Sequence, residues 1–154
     1  ERTFFSELGS EDKVLAQLMA LTERVCWRAR KRNIRARTVS LKLRYSDFHT
    51  ISRATTGPPA NDEAYIMRRV TELFRKARRE SSETAETERR GPRGVRLVGI
   101  ALSNLVHDDD PRQLRLPFAE GAVFGAAVAG APIGAAMDEV RLKYGYDAVH
   151  LGSP

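Results

Sequence analysis

The sequence predicts an α+β domain: a four-stranded sheet with two helices on one face, followed by a linker and a short C-terminal tail. Two segments have apolar residues at helical spacing, several others alternate with a period of two, and their order is βαββαβ. A chain of 154 residues with 42% apolar residues can bury one modest core. These numbers exclude a large multidomain enzyme.

The first predicted helix covers residues 11–32. Ser10 suits the N-cap, acidic residues follow it, and an apolar stripe continues through Val14, Leu18, Leu21 and Val25. Cys26 and Trp27 lie on or beside this stripe. We expect both to pack in the core or at its boundary, rather than to act as a reactive thiol and a base-stacking indole.

A second helix begins after Asn61 or Asp62, with its apolar stripe on Ile66, Val70, Leu73 and Ala77. Basic side chains cover the rest of its surface. The next segment, residues 81–94, has no apolar periodicity and contains glycine and proline. It is therefore predicted to be a loop.

Four segments are predicted strands. Residues 38–46 alternate between an apolar face and a face of basic and hydroxyl side chains. Residues 48–56 pair with them as a hairpin, which Gly57, Pro58 and Pro59 are expected to end. Residues 95–105 carry Gly99, Ala101 and Ser103 on one face, and residues 2–5 complete the sheet. Those small residues favour either close approach of another backbone or an ordinary strand beneath a crowded neighbour.

The net charge of +6 favours an acidic partner. Nine basic residues and no acidic one occur between Arg24 and Arg44: Arg24, Arg28, Arg30, Lys31, Arg32, Arg35, Arg37, Lys42 and Arg44. This density indicates polyanion binding, and the alternative is a solvated helix end. The basic, hydroxyl-rich sheet face lacks stacking aromatics, so phosphate contacts are expected there rather than base recognition.

Three segments resemble the little-finger domain, the C-terminal DNA-binding part of Y-family translesion DNA polymerases. They are residues 37–48 (RTVSLKLRYSDF), 52–56 (SRATT) and 94–105 (GVRLVGIALSNL). The resemblance covers about residues 1–106 and is strongest to bacterial members. It implies a sheet that lies against the duplex major groove and contacts both backbones. The implied phosphate contacts are Ser40, Lys42, Arg44, Ser52, Arg53, Arg96 and Ser103.

Arg53 conflicts with simple alternation, because Ile51 and Arg53 cannot point to opposite faces of a regular strand. The resemblance therefore requires a bulge or a strand end near these residues.

No catalytic residue is assigned. Nucleotidyl transfer needs carboxylates that hold two metal ions, and the family carries these in a palm domain without a counterpart here. We expect this chain alone to be inactive and free of cofactors, whereas the resemblance implies Mg²⁺ for the parent protein. The acidic run 108–110 is predicted to be linker, and His49, His107 and His150 lack the close spacing of a metal site.

Residues 107–118 are predicted to be a linker that contains a sliding-clamp-binding peptide. The hexapeptide QLRLPF at 113–118 resembles the bacterial clamp-binding motif Gln-Leu-x-Leu-x-Phe. By that resemblance, Gln113 contacts the pocket rim, and Leu114, Leu116 and Phe118 fill an apolar cleft of the clamp (the beta subunit). The alternative is an apolar segment that folds back on the domain.

Residues 119–134 are rich in Ala and Gly and are predicted to be a second linker, being too weakly apolar for a membrane span. Residues 135–154 are predicted to form a short helix up to Tyr144 and an extended end. Residues 137–145 (MDEVRLKYG) are similar to a C-terminal element common in bacterial members.

The leading hypothesis is therefore a module that binds primer-template DNA and tethers a lesion-bypass DNA polymerase to its clamp. The alternative is an RNA-binding structural domain of a ribonucleoprotein that uses the same basic sheet. The single cysteine and the lack of a leader sequence indicate a cytoplasmic protein, and the start at Glu1 indicates a fragment of a longer one. We expect this fragment to be monomeric and to have no membrane partner.

Overall fold

The computed structural model describes residues 1–8, 10–87, 94–107 and 132–151. Four strands and three α-helices follow one another, and a short 3₁₀ helix (Tyr146–Ala148) ends the described chain. In chain order these are β1 (Arg2–Leu8), α1 (Glu11–Lys31), β2 (Ile34–Tyr45), β3 (Thr50–Ala60), α2 (Glu63–Thr87), β4 (Val95–His107) and α3 (Pro132–Tyr144). The predicted α+β class and βαββαβ order are confirmed.

The four strands form one sheet in the order β1-β4-β2-β3, with every neighbouring pair antiparallel. The last strand, β4, therefore lies inside the sheet between β1 and β2. Both α1 and α2 pack on one face, as predicted. The core between helices and sheet contains Val14, Leu18, Cys26, Val39, Leu41, Leu43, Tyr45, Ile66, Val70, Phe74, Val95 and Val98.

The prediction that Gly57, Pro58 and Pro59 end the second strand of the hairpin is wrong, because β3 continues through them to Ala60. The β2–β3 register shifts there: Thr38 pairs with Thr56, but Ala36 pairs with Ala60. Three residues of β3 thus oppose one residue of β2. Prolines are tolerated because β3 is an edge strand and this bulge needs no backbone donors from them.

A buried arginine of α2 satisfies the backbone beside this bulge. Arg69 donates from Nη2 to the carbonyl of Arg37 at 3.1 Å and also to the carbonyl of Thr55. Its side chain lies beside Gly57, where an added Cβ would come within 3.7 Å of the guanidinium. That distance is an ordinary van der Waals contact, whereas the Tyr65 hydroxyl would be nearer, at 3.3 Å. Arg69 therefore holds β3 against α2 through its two carbonyl contacts.

The second helix is longer than predicted. It extends to Thr87, so residues 81–87 are helical and not part of a loop. An established helix propagates through good helix formers such as Glu and Ala without an apolar stripe, which is why periodicity missed this extension. At the other end, Asp62 and not Asn61 caps the helix, since its Oδ1 accepts a hydrogen bond from the Tyr65 amide at 2.8 Å.

The C-terminal tail also differs from its prediction. The third helix starts at Pro132, a residue that fits a first helical turn, rather than at Ala135. Gly145 ends it with φ of 96°, and residues 146–148 form a 3₁₀ turn where an extended end was expected. Across the described parts of the chain, no helix is both long and apolar enough to cross a membrane.

Candidate nucleic-acid interface

Strict alternation in β2 separates two faces of the sheet. Val39, Leu41 and Leu43 are buried beneath the helices, and the intervening side chains point the other way. We call the side opposite α1 and α2 the open face. Regular pairing with β3 and β4 places these residues on it: Thr38, Ser40, Lys42, Arg44, Thr50, Ser52, Gly99, Ala101 and Ser103. No helix among the described residues covers this face.

Two cations occupy the open face near the β2–β3 turn. Lys42 lies between Ser52 of β3 and Gly99 of β4. Its ammonium is 3.4 Å from a carboxylate oxygen of Glu1, and both side chains are partly exposed. Arg44 donates from Nε to the hydroxyl of Thr50 at 3.0 Å. These contacts are weak and solvated, so a phosphate can replace them at little cost.

The surroundings of Gly99 show why one of the small residues of β4 is small. A Cβ at this position would come within 3.5 Å of the Glu1 side chain and 3.6 Å of its Cα. The close neighbour at Gly99 is therefore the first residue of this chain. Ala101 and Ser103, farther along the same strand, are exposed.

A row of neutral polar groups at the opposite end of the open face was missed by the sequence reasoning. Asn104 donates from Nδ2 to the Thr38 hydroxyl at 2.8 Å, and that hydroxyl lies 2.8 Å from the hydroxyl of Thr56. Asn104 adopts a φ of 52°. The sequence signal for this row is an asparagine near a strand end, because asparagine tolerates left-handed backbone better than most residues.

Arg53 does not lie on the open face. It pairs with the buried Leu41, so it faces the helices, and the register shows no bulge at this point. Its guanidinium forms an ion pair with Glu80 of α2 at 2.6 Å. The strand is therefore regular here, and Ile51 and Arg53 point to the same face. Arg53 connects β3 to α2.

Arg96 lies at the edge of the candidate interface. The β2–β4 register shifts here, because Arg44 pairs with Leu97 while Tyr45 pairs with Val95. This bulge places the Arg96 guanidinium 5.2 Å from the ring of Phe48 in the β2–β3 turn. Arg96 therefore extends the basic character of the open face toward the turn.

The basic run between residues 24 and 44 is divided among several environments. Arg30 is largely buried and donates to Glu63 of α2, Asp138 of α3 and the Asn61 carbonyl. Burial disfavours its charge, but the hydrogen bonds that it donates to Asp138 and Glu63 outweigh that effect and raise the pKa of the guanidinium. Arg24, for comparison, is exposed on α1.

Within the described segments, no group of three His, Cys, Asp or Glu residues could hold a metal ion. Cys26 is buried in the core, and burial together with the charge of Glu63 raises the pKa of its thiol. Trp27 is half-buried on α1, and its ring contacts Tyr146 of the tail and Lys31 rather than the core cluster, so the expected core-boundary position is not confirmed. The proposed clamp residues Gln113, Leu114, Leu116 and Phe118 and the 108–110 run lie outside the described residues.

Residues 1–116 match the model of the impB/mucB/samB family C-terminal domain. The chain belongs to this family. The resemblance to the little-finger domain of Y-family polymerases is thereby confirmed, and the ribonucleoprotein alternative is not favoured.

Proteins named DNA polymerase IV are among its relatives. One from Alkalilimnicola ehrlichii is 33% identical over 118 residues, covering 75% of this chain and 30% of the relative. DNA polymerase IV 1 of Mesorhizobium japonicum is 33% identical over 161 residues, covering 99% of this chain and 31% of the relative. The chain thus spans about a third of the length of these curated relatives.

A solved complex of the beta-clamp processivity factor and the little finger domain of PolIV is also similar. It has a TM-score of 0.42 and 24% sequence identity, and the match covers 75% of this chain and 90% of that chain.

Proposed function

We propose that this chain binds primer-template DNA through the open face of its sheet, mainly by phosphate contacts. The observation that carries the proposal is the regular β2–β3–β4 register, which collects Lys42, Arg44 and a set of hydroxyls on a face without a helix. The proposed contacts are Ser40, Lys42, Arg44, Ser52, Arg96 and Ser103. Arg53 is left out because it faces α2.

The neutral end of the open face adds a second type of contact. Thr38 and Ser103 lie six residues along β2 and β4 from the Arg44–Leu97 pair, which corresponds to about 20 Å of extended strand. A surface of this length reaches across a B-DNA major groove, which is about 12 Å wide. One end offers cations and the other offers hydroxyl and amide donors to phosphate oxygens.

Primer-template binding measured by fluorescence anisotropy tests this function. We expect Lys42→Gln with Arg44→Gln to lower duplex affinity about tenfold or more and to reduce the slope of log K against log salt by about two. The matched control, Arg75→Gln with Arg79→Gln, removes the same charge from exposed positions of α2. Equal losses in the two double variants would show that net charge, and not the open face, drives binding.

We also propose that Gln113, Leu114, Leu116 and Phe118 bind a bacterial sliding clamp. Support comes from the match to the clamp motif and from its position directly after the little-finger segment. In calorimetric titration into a purified clamp, Leu116→Ala with Phe118→Ala should abolish binding and leave DNA affinity unchanged. Undiminished clamp affinity in this double variant would refute the assignment.

The parent protein is proposed to be a cytoplasmic, error-prone DNA polymerase that acts in translesion synthesis and DNA repair. Its Mg²⁺ ions would stabilise the transferring phosphoryl group in a palm domain outside this chain. The residues described here hold no such carboxylate set, so we expect the 154-residue chain to bind DNA without extending a primer.

A further inference from the structure

The C-terminal tail and α1 together form a second surface of basic and aromatic side chains on the helix side of the domain. Trp27 of α1 lies 5.1 Å from Tyr146 of the tail, centroid to centroid, and Tyr146 lies 5.3 Å from His150. We call this surface the basic-aromatic patch, defined by Arg24, Trp27, Arg28, Lys31, Tyr146 and His150. It lies on the outer side of α1, away from the open face.

Cations surround the rings of this patch. The Arg24 guanidinium lies 5.3 Å from the Tyr146 ring, and the Lys31 ammonium lies 5.4 Å from the Trp27 ring. Arg24, Arg28 and Lys31 are all exposed, and they lie at helical spacing along one side of α1. The Glu23 carboxylate beneath the patch is buried, whereas the Asp147 carboxylate, 3.6 Å from His150, is exposed. Asp147 offsets one of the three charges of Arg24, Arg28 and Lys31, so these four exposed groups together remain positive.

The rings are accessible in part. Trp27 and Tyr146 are half-buried, and 46% of the His150 side chain is exposed. The tail holds them in place through Glu23, which accepts hydrogen bonds from the Arg141 guanidinium and from the Leu151 amide. The patch therefore exists only while the tail is docked on α1.

We propose that the basic-aromatic patch binds single-stranded nucleic acid. Unpaired bases stack on aromatic rings and on arginine planes, and lysine and arginine neutralise the phosphates between them. A base can take the place of the Arg24 or Lys31 side chain over a ring, which frees that cation for a phosphate. A duplex cannot use this surface in the same way, because its bases are already stacked and paired.

Trp27 is the only tryptophan of the chain, so its fluorescence reports directly on the patch. Titration with a dT₁₂ oligonucleotide should quench Trp27, whereas a blunt duplex of equal length should not. We expect Arg24→Gln, Arg28→Gln and Lys31→Gln combined to lower dT₁₂ affinity about tenfold. The matched triple variant on exposed positions of α2, Arg68→Gln, Arg75→Gln and Arg79→Gln, should change it less than about threefold.

A second pair of variants tests the rings. Tyr146→Phe keeps a stacking ring and should retain dT₁₂ affinity, whereas Tyr146→Ser should lower it about tenfold with unchanged circular dichroism. Absence of quenching, or equal losses in the two triple variants, would overturn the proposal. The open-face variant Lys42→Gln with Arg44→Gln separates the two sites, because it should weaken duplex binding and leave Trp27 quenching by dT₁₂ intact.

Discussion

The open face and the helix side of this domain use the same residue types in different ways. On the open face, Lys42 and Arg44 make a long ion pair and a single hydroxyl contact, and both retain solvent exposure. On the helix side, Arg141 and its partner Glu23 are almost completely buried, with side-chain exposures of 0% and 3%. Lys42 and Arg44 are therefore available to a polyanion, whereas Arg141 is not.

This difference shows that charge density alone does not locate a binding surface. A buried guanidinium needs a carboxylate or carbonyl acceptor close to it because desolvation of the charge is costly. An exposed one loses little when a phosphate replaces water or a weak partner. Variants that remove equal charge from the two regions should therefore separate stability from DNA affinity.

The largest expected effect is on the tail. Arg141→Met should lower the free energy of unfolding by up to about 3 kcal/mol, because Glu23 loses its buried partner. The loss cannot exceed the free energy of undocking the tail, because an undocked tail exposes Glu23 to water. Urea denaturation measures the effect, and the exposed Lys143→Met is the control.

A double variant sharpens the same prediction. Glu23→Leu with Arg141→Met replaces both buried charges by apolar groups and should recover part of the lost stability. The rest stays lost because the Val149 carbonyl and the Leu151 amide lose the partners they have in the native chain. A double variant as unstable as Arg141→Met alone would contradict the importance of this ion pair.

The next effect concerns the bulge of β3. Arg69→Met should cost about 2 kcal/mol, because the carbonyls of Arg37 and Thr55 lose a buried donor. DNA affinity should stay unchanged. The neighbouring Arg68→Met, at an exposed position of α2, should cost less than about 1 kcal/mol. Thermal unfolding compares the two, and similar costs would show that Arg69 does not support the strand.

Cys26 gives a pH dependence on the helix side. Its pKa is raised in the folded state, chiefly by burial, so the thiol is neutral when folded but ionises when unfolded above about pH 8.5. Its stabilising effect is complete below that pH and is lost as the pH rises, by up to about 1.4 kcal/mol per unit. Urea midpoints from pH 7 to 10 should fall more steeply than those of Cys26→Ala. The same pH dependence in both proteins would show that the Cys26 thiol is exposed to solvent in the folded state.

The smallest effect separates Arg53 from the open face. Arg53→Gln should change duplex affinity by less than about twofold and stability by less than about 1 kcal/mol, because a half-exposed ion pair with Glu80 contributes little. Arg44→Gln, in contrast, should reduce the salt slope by about one. A reduced slope for Arg53→Gln would place its side chain at the DNA after all.

Much of the fold could be predicted because local patterns determine it. The alternation in β2 assigned Lys42 and Arg44 to one face, and helical spacing identified both core helices. The strand through Pro58 and Pro59 was missed, since it depends on edge position and on a donor from Arg69. The tail was missed for a similar reason: Glu23 and Arg141 are 118 residues apart, and no local signal links them.

The position of β4 has a consequence for how the chain folds. Since β4 pairs with both β1 and β2, the first strand has no neighbour in the sheet until residues 95–107 are available. Emerging from a ribosome, the N-terminal part can form α1 and the β2–β3 hairpin but cannot complete its core. Such dependence on distant pairing slows folding. The domain should therefore acquire protease resistance in one late step, after its last strand has been synthesised.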